Sequence, residues 1–257
     1  MYKPIICNVS EKITLQAVHW AAKKVKHSID RGDMHERDLS EALDHKVMGD
    51  IAAIAVVGFL INSKVNTVIY DLIRNDNFQV YDAGWDIAIG KNASTWAKET
   101  LDPTAPLGLT TVSVRSSRLP KNDSLETAMK IRDFKIFKKR NNIADDITAD
   151  IELQVYYNYY GTELTQRTVT EEDIIDCINA PTYNDASCRS IAEKLDAFNR
   201  WQTCCLVGFN TKKAIVEYSQ KLNKKTWISH HKGHSKEMWI APLKEGMSMQ
   251  HLREYNV

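Results

Sequence analysis

An aspartate, Asp86, and an arginine, Arg115, each stand as the lone charged residue of a short alternating stretch. Trp85, Ile87 and Ile89 alternate with Asp86 and Ala88, and Val112 and Val114 alternate with Ser113 and Arg115. That is the period of two that a strand imposes. If the two strands pair, a carboxylate and a guanidinium lie side by side on one face of a sheet. Such a pair suits a divalent cation bound next to a phosphate, and it equally suits an ordinary cross-strand ion pair. A third charged residue, Asp50, follows Gly49 at the entry to the apolar run Ile51 to Ile61. Burying a bare carboxylate there would cost several kcal/mol, so it must be solvated, paired or bound to something.

Cations cluster after the second strand. Arg115, Arg118 and Lys121 lie close together, and Lys130, Arg132, Lys135, Lys138, Lys139 and Arg140 follow. A run of this kind can grip a polyanion through its phosphates, with affinity that falls as salt rises. It can also be a solvated strand edge kept soluble by lysines. Tyr156, Tyr157, Tyr159 and Tyr160 are able to stack on bases or to pack within a sheet. His230, His231 and His234 with Cys204 and Cys205 raise a zinc alternative, but Gly233 argues against a helix there and no H-E-x-x-H occurs. No phosphate-binding loop or dinucleotide fingerprint appears, so neither ATP nor NAD is suggested.

The elements that position these residues read as mixed α/β. Ser10 and Glu11 open a helix in which Ile13, Ala17, Trp20, Ala21, Val25 and Ile29 recur at helical spacing. A second helix spans about Asp38 to Asn62. Val65 to Ile73 reads as a strand, followed by the Tyr81–Gly90 strand, a loop or short helix over Lys91 to Leu109, and the strand carrying Ser113 and Arg115. A short helix through Leu125 and Met129 and strands at Phe134–Phe137 and Ile151–Tyr160 come next. Thr170 caps a helix through Ile174, Ile175 and Ile178. A helix over Ser190 to Phe198, a buried strand from Thr203 to Phe209 and an amphipathic helix from Thr211 to Leu222 follow. Trp227-Ile228 and Met238–Ile240 then form a closing hairpin, and Met247 to Leu252 a short terminal helix.

At 257 residues, 43% hydrophobic and 26% charged, the chain has the composition of a soluble globular protein able to bury a sizeable core. Its net charge of +1 gives no global pull toward nucleic acid, so any such binding rests on a local patch. The five cysteines form no C-x-x-C pair and are odd in number, which reads as reduced thiols in a cytoplasmic protein. No cleavable signal is visible, and the longest apolar run is too short to span a bilayer. Without a Pro/Gly/Ser-rich linker, residues 1–257 read as a single domain.

A helix pair, an acid in the second helix, a strand reading Gly-Trp-Asp-Ile and a strand ending Ser-Val-Arg-Ser-Ser together resemble the PD-(D/E)xK superfamily, which includes many restriction endonucleases. The resemblance covers roughly residues 11 to 160. It implies an α/β fold with a central mixed β-sheet flanked by helices, 1–160 as the nuclease core and 161–257 as a C-terminal extension of the same sheet. By position, Asp86 would be the metal-binding aspartate, Ser113 the acid position, Arg115 the lysine position and Asp50 the helix acid. Asp86 and Asp50 would then hold Mg²⁺ (or Mn²⁺). Arg118, Lys121, Lys135, Lys138, Lys139 and Arg140 would contact DNA.

Two departures bear on this. A hydroxyl at Ser113 is a weaker Mg²⁺ ligand than a carboxylate. Arginine is a poor proton acceptor, with a pKa above about 12, yet it can neutralise charge on a phosphate. The expectation is a metal-dependent DNA endonuclease or nickase acting on foreign or mobile DNA, with no membrane partner and a homodimer as one candidate assembly. The alternatives are a non-catalytic DNA-binding or inhibitory protein on a degenerate nuclease scaffold, and a protein-binding module.

Overall fold

The computed structural model describes residues 2–27, 37–79, 83–119, 122–137, 147–158, 168–221, 226–228 and 235–257. Nine strands and nine α-helices among them run in the order β1 (Ile5–Asn8), α1 (Glu11–Val25), α2 (Leu39–Asn62), β2 (Thr67–Ile69), α3 (Tyr70–Ile73), β3 (Ile87–Ile89), α4 (Ala93–Glu99), β4 (Thr110–Arg118), α5 (Leu125–Ile131) and β5 (Asp133–Phe137). Then come β6 (Ile151–Tyr157), α6 (Glu171–Asn179), α7 (Ala186–Lys194), α8 (Ala197–Arg200), β7 (Thr203–Thr211), α9 (Lys212–Lys221), β8 (Thr226–Ile228) and β9 (Ser235–Pro242), with 3-10 turns at Leu243–Glu245 and Met249–Tyr255.

Six strands form one sheet in the order β1-β7-β6-β4-β3-β2. Only β4 and β6 run parallel; every other neighbouring pair is antiparallel. A second sheet has the order β5-β9-β8. The fold is therefore mixed α/β, a mixed sheet flanked by helices. Alternation along the strands divides the core in two. On one face Val112, Leu153, Val155, Tyr157, Cys204 and Leu206 pack with α1 and α2. On the other, Tyr156, Cys205 and Val207 pack with Met129 of α5, Ile215 of α9 and Trp239 of β9.

Local chemistry explains where the helices begin. Ser10 accepts the Ile13 N–H and Asp38 accepts the Glu41 N–H, satisfying donors that the first turns of α1 and α2 leave open. Thr170 and Asp173 form a reciprocal capping box at the start of α6. α2 buries Leu43, Val47, Ile51, Val56 and Leu60 against the sheet and α1, and the Tyr157 hydroxyl donates to its Met48 carbonyl at 2.8 Å.

Five elements differ from their reading in the sequence. Among the described residues of the expected Tyr81–Gly90 strand only Ile87–Ile89 is strand, Gly84 taking a positive φ ahead of it, and the expected Met247–Leu252 helix is a 3-10 turn over Met249–Tyr255. The stretch Val65 to Ile73 is strand only over Thr67–Ile69, because β3 offers a partner of just that length. Beyond it the Tyr70 N–H donates to the Asp86 carbonyl and the chain turns into α3. The helix expected at Ser190–Phe198 begins earlier, at Ala186, where Asp185 accepts the Ser187 N–H. It stops at Lys194, and Asp196, at φ 53°, separates it from α8. The edge strand β1, which pairs with β7, had no counterpart in the sequence reading.

All five cysteines are free thiols, and Cys177 of α6 faces Cys188 of α7 with sulfurs 3.0 Å apart. Among the described residues no helix is long and apolar enough to cross a membrane.

Candidate functional site

Asp86 sits one residue before β3 and is held from both sides. Its N–H donates to the Val112 carbonyl of β4 and its own carbonyl accepts from Tyr70, each at 2.9 Å. Its carboxylate Oδ2 accepts the N–H of Val114 at 2.6 Å. The charge is thus delivered onto β4 between Ser113 and Arg115. The preceding residues fix this placement. Trp85 is buried, its indole N–H donates to the Thr104 carbonyl, and its ring meets Tyr70 edge-on at 4.9 Å. Gly84 has φ +88°, and a Cβ there would lie 2.2 Å from the Thr148 hydroxyl oxygen, which itself donates to the Gly84 carbonyl. Gly84→Ala is therefore expected to destabilise the protein by more than about 1 kcal/mol. Urea denaturation checks this, and an unchanged midpoint would mean that the turn before Asp86 tolerates a side chain.

Arg115 is engaged by a residue the sequence reading missed. Its Nε donates to Glu152 Oε2 at 2.7 Å and one terminal nitrogen to Oε1 at 3.3 Å. Glu152 is 1% exposed, whereas the Arg115 side chain keeps 44% of its surface in solvent. A fork held at its base in this way is fixed in direction while its outer edge stays accessible. Burial alone would lower the Arg115 pKa, but the charges of Glu152 and then Asp86 outweigh it and hold the guanidinium protonated. Ser113, buried, stands directly opposite Glu152 in the parallel β4–β6 register. The signal was present in Ile151-Glu-Leu-Gln-Val, where Glu152 and Gln154 alternate with three apolar residues. Which strand they would adjoin could not be read from it.

Asp50 does not join this group as expected. It lies on α2, which covers the face of Val112 and Val114, whereas alternation directs Ser113 and Arg115 to the other face. Its Oδ1 accepts from Lys24 of α1 at 2.5 Å, and the same ammonium reaches Asp71 Oδ2 at 2.5 Å. Asp50 Oδ2 is buried with no hydrogen-bond partner among the described residues. Burial pushes the Asp50 carboxyl up to about 7, against the pull of Lys24 and with Asp71 adding to the rise. For Lys24, burial acts downward but the two aspartates outweigh it, so it stays charged.

The sign of the resulting pH dependence follows from linkage. An acid raised in the folded state binds more protons folded than unfolded between the two pKa values. Its stabilisation is complete below about pH 4 and is lost as pH rises toward about 7. Asp50→Asn is expected to remove this decline, seen as a smaller drop in urea midpoint between about pH 5 and about pH 8. Identical pH profiles for wild type and variant would contradict the raised carboxyl.

Of the expected polyanion contacts, Arg118 is exposed at the end of β4 and Lys135 lies on β5 opposite Ile240. Lys121, Lys138, Lys139 and Arg140 lie outside the described residues, as do Tyr159, Tyr160, His230, His231 and His234. Tyr156 and Tyr157 are buried on opposite faces of the sheet, and Cys204 and Cys205 are buried in β7.

Among the described residues no group of three or more His, Cys, Asp and Glu is arranged to hold a metal ion. Mg²⁺ is commonly held by one or two carboxylates together with waters and substrate phosphate, a demand that Asp86 meets in kind. Asp50, bound to an ammonium on the other side of the sheet, does not contribute to it. Comparison with protein-family models, curated proteins and solved structures finds no match to this chain.

Proposed function

We propose that the protein acts on DNA as a restriction-endonuclease-like endonuclease or nickase, with Mg²⁺ or Mn²⁺ held at Asp86. The observation that carries this reading is the Asp86 carboxylate seated on the Val114 N–H, beside an arginine whose outer edge is open. An aspartate at the entry to β3 and a cation on the antiparallel β4, in a mixed sheet flanked by helices, support the same reading.

The chain's own groups have definable tasks. Glu152 fixes the direction of Arg115, and Arg115 offers N–H donors to a non-bridging phosphate oxygen. That placement neutralises charge as it grows on phosphorus. Asp86, anchored through backbone on both sides, needs little reorganisation to present its carboxylate. The metal, when bound, supplies polarisation of the phosphate and a water of lowered pKa. Arg115 stays protonated and so does not take the motif lysine's place as a proton acceptor.

The second reading is a DNA-binding protein without hydrolytic activity. It is favoured by one observation, that Glu152 and Lys24 occupy Arg115 and Asp50 with ion pairs. Incubating supercoiled plasmid with Mg²⁺ or Mn²⁺, with wild type against Asp86→Asn, separates the two. Cutting that is lost in the variant supports hydrolysis at Asp86, and salt-sensitive binding without cutting by either protein supports the second reading.

A further inference from the structure

Helices α6 and α7 form a hairpin packed on α1, and its closed end carries two cysteines. Cys177 lies in the last turn of α6 and Cys188 in the first turn of α7. Both are buried, and their sulfurs are 3.0 Å apart. A disulfide holds its sulfurs at about 2 Å, so closing one here asks for about 1 Å of approach. The open end of the hairpin is fixed separately by Lys194, whose ammonium reaches both carboxylate oxygens of Asp173 at 2.6 Å. The sulfurs are thus kept facing each other without a covalent link.

The two thiols are not equivalent. The Cys177 S–H donates to the Cys188 sulfur and holds that thiol below its ordinary range, with the Ser187 hydroxyl and Lys23 acting the same way against burial and Asp185. The same bond, then burial, pushes Cys177 up. Position works in the same sense, because the first turn of a helix favours a thiolate. A buried cysteine alone is inert, whereas an acidified thiol next to a second one that can resolve it is the arrangement of a redox-responsive pair. The connection over residues 180–185 exposes Pro181, Thr182 and Asn184, so a local opening of that turn admits a small oxidant.

We propose that Cys177 and Cys188 are an oxidation site, forming a reversible disulfide that staples α6 to α7 when the protein meets hydrogen peroxide. The Cys188 thiolate attacks one peroxide oxygen, the O–O bond breaks, and Cys188 becomes a sulfenic acid while hydroxide leaves and is protonated to water. The Cys177 sulfur then attacks the Cys188 sulfur, the S–O bond breaks, and the hydroxyl leaves as a second water with the Cys177 proton. Two thiols have lost two electrons and two protons, and the peroxide has become two waters. A dithiol reductant reverses the link by exchange. The site is independent of the reading given under Proposed function.

Peptide mapping of the full chain, treated with hydrogen peroxide in native buffer and digested at acid pH, tests the proposal. Cys177 and Cys188 are expected in one linked pair that dithiothreitol separates. In Cys177→Ser nothing resolves the sulfenic acid, so dimedone is expected to label Cys188. Amide hydrogen exchange over α6 and α7 is expected to slow at least ~10-fold in the oxidised wild type relative to the reduced one. Recovery of Cys177 and Cys188 as free thiols or as sulfonic acids, a link from either to a different cysteine, an unlabelled Cys188 in a folded Cys177→Ser, or unchanged exchange over the two helices would each overturn it. The mapping and the exchange measurement use wild type alone, so they decide the matter even if the serine variant does not fold.

Discussion

Replacing Asp44 with alanine is expected to lower the unfolding free energy by about 3–5 kcal/mol, the largest single loss of stability foreseen in this chain. Asp44 lies on α2 with its side chain 4% exposed, opposite Arg200 at 3%. The two terminal nitrogens of Arg200 donate to Asp44 Oδ1 and Oδ2 at 2.8 and 3.0 Å, and the Trp201 indole N–H adds a third bond to Oδ1 at 3.0 Å. Removing the carboxylate strips three hydrogen bonds from a buried guanidinium and indole, and the Leu195 carbonyl, 3.1 Å from Arg200, does not balance the charge left behind. The cost is that of stranding Arg200, so it should shrink when both charges are removed. Asp44→Ala combined with Arg200→Met is expected to recover most of the loss. Urea denaturation of the two variants decides. A single-variant loss under about 1 kcal/mol would show that the core relaxes enough to hydrate Arg200.

On the proposed nuclease reading, Asp86→Asn is expected to reduce metal-dependent cleavage of plasmid DNA by at least about 100-fold while leaving the urea midpoint unchanged. Asparagine keeps an oxygen that can accept the Val114 N–H, so the strand junction survives and only the charge is lost. Asp86→Ala removes that bond too and should add about 1 kcal/mol of destabilisation. The comparison matters because a purely structural Asp86 predicts the reverse pattern: an active Asn variant and a damaged Ala variant. Activity retained in Asp86→Asn therefore ends the assignment of Asp86 to the chemistry.

What the sequence disclosed was local. Ser10, Asp38 and Thr170 announce α1, α2 and α6 because a cap works on N–H groups two or three residues away. The alternation around Val112 and Leu153 announced β4 and β6 for the same reason. Partnership between strands is a different kind of fact. β4 and β6 pair in parallel across a crossover containing α5 and β5, and the register that sets Glu152 opposite Ser113 is fixed by packing of both faces. No spacing within either segment encodes it. Asp50 is a similar case: its partner Lys24 lies on another helix, and only the docking of α1 on α2 shows that one of its carboxylate oxygens is taken by an ammonium. β1 escaped notice because Ile5–Asn8 has too few residues to establish a period, and it becomes a strand only because β7 accepts it.

The ion pair between Arg115 and Glu152 also has a bearing on biosynthesis. The strand that steadies the arginine is made well after the one that carries it, and β6 is itself an interior strand that needs β7, whose first residue is Thr203. A nascent chain released early would present Arg115 untethered, on an open sheet margin. Arg115 is therefore aimed only once β6 and the strand that covers it have both been made, and a chain truncated ahead of Thr203 should leave the guanidinium without a fixed direction.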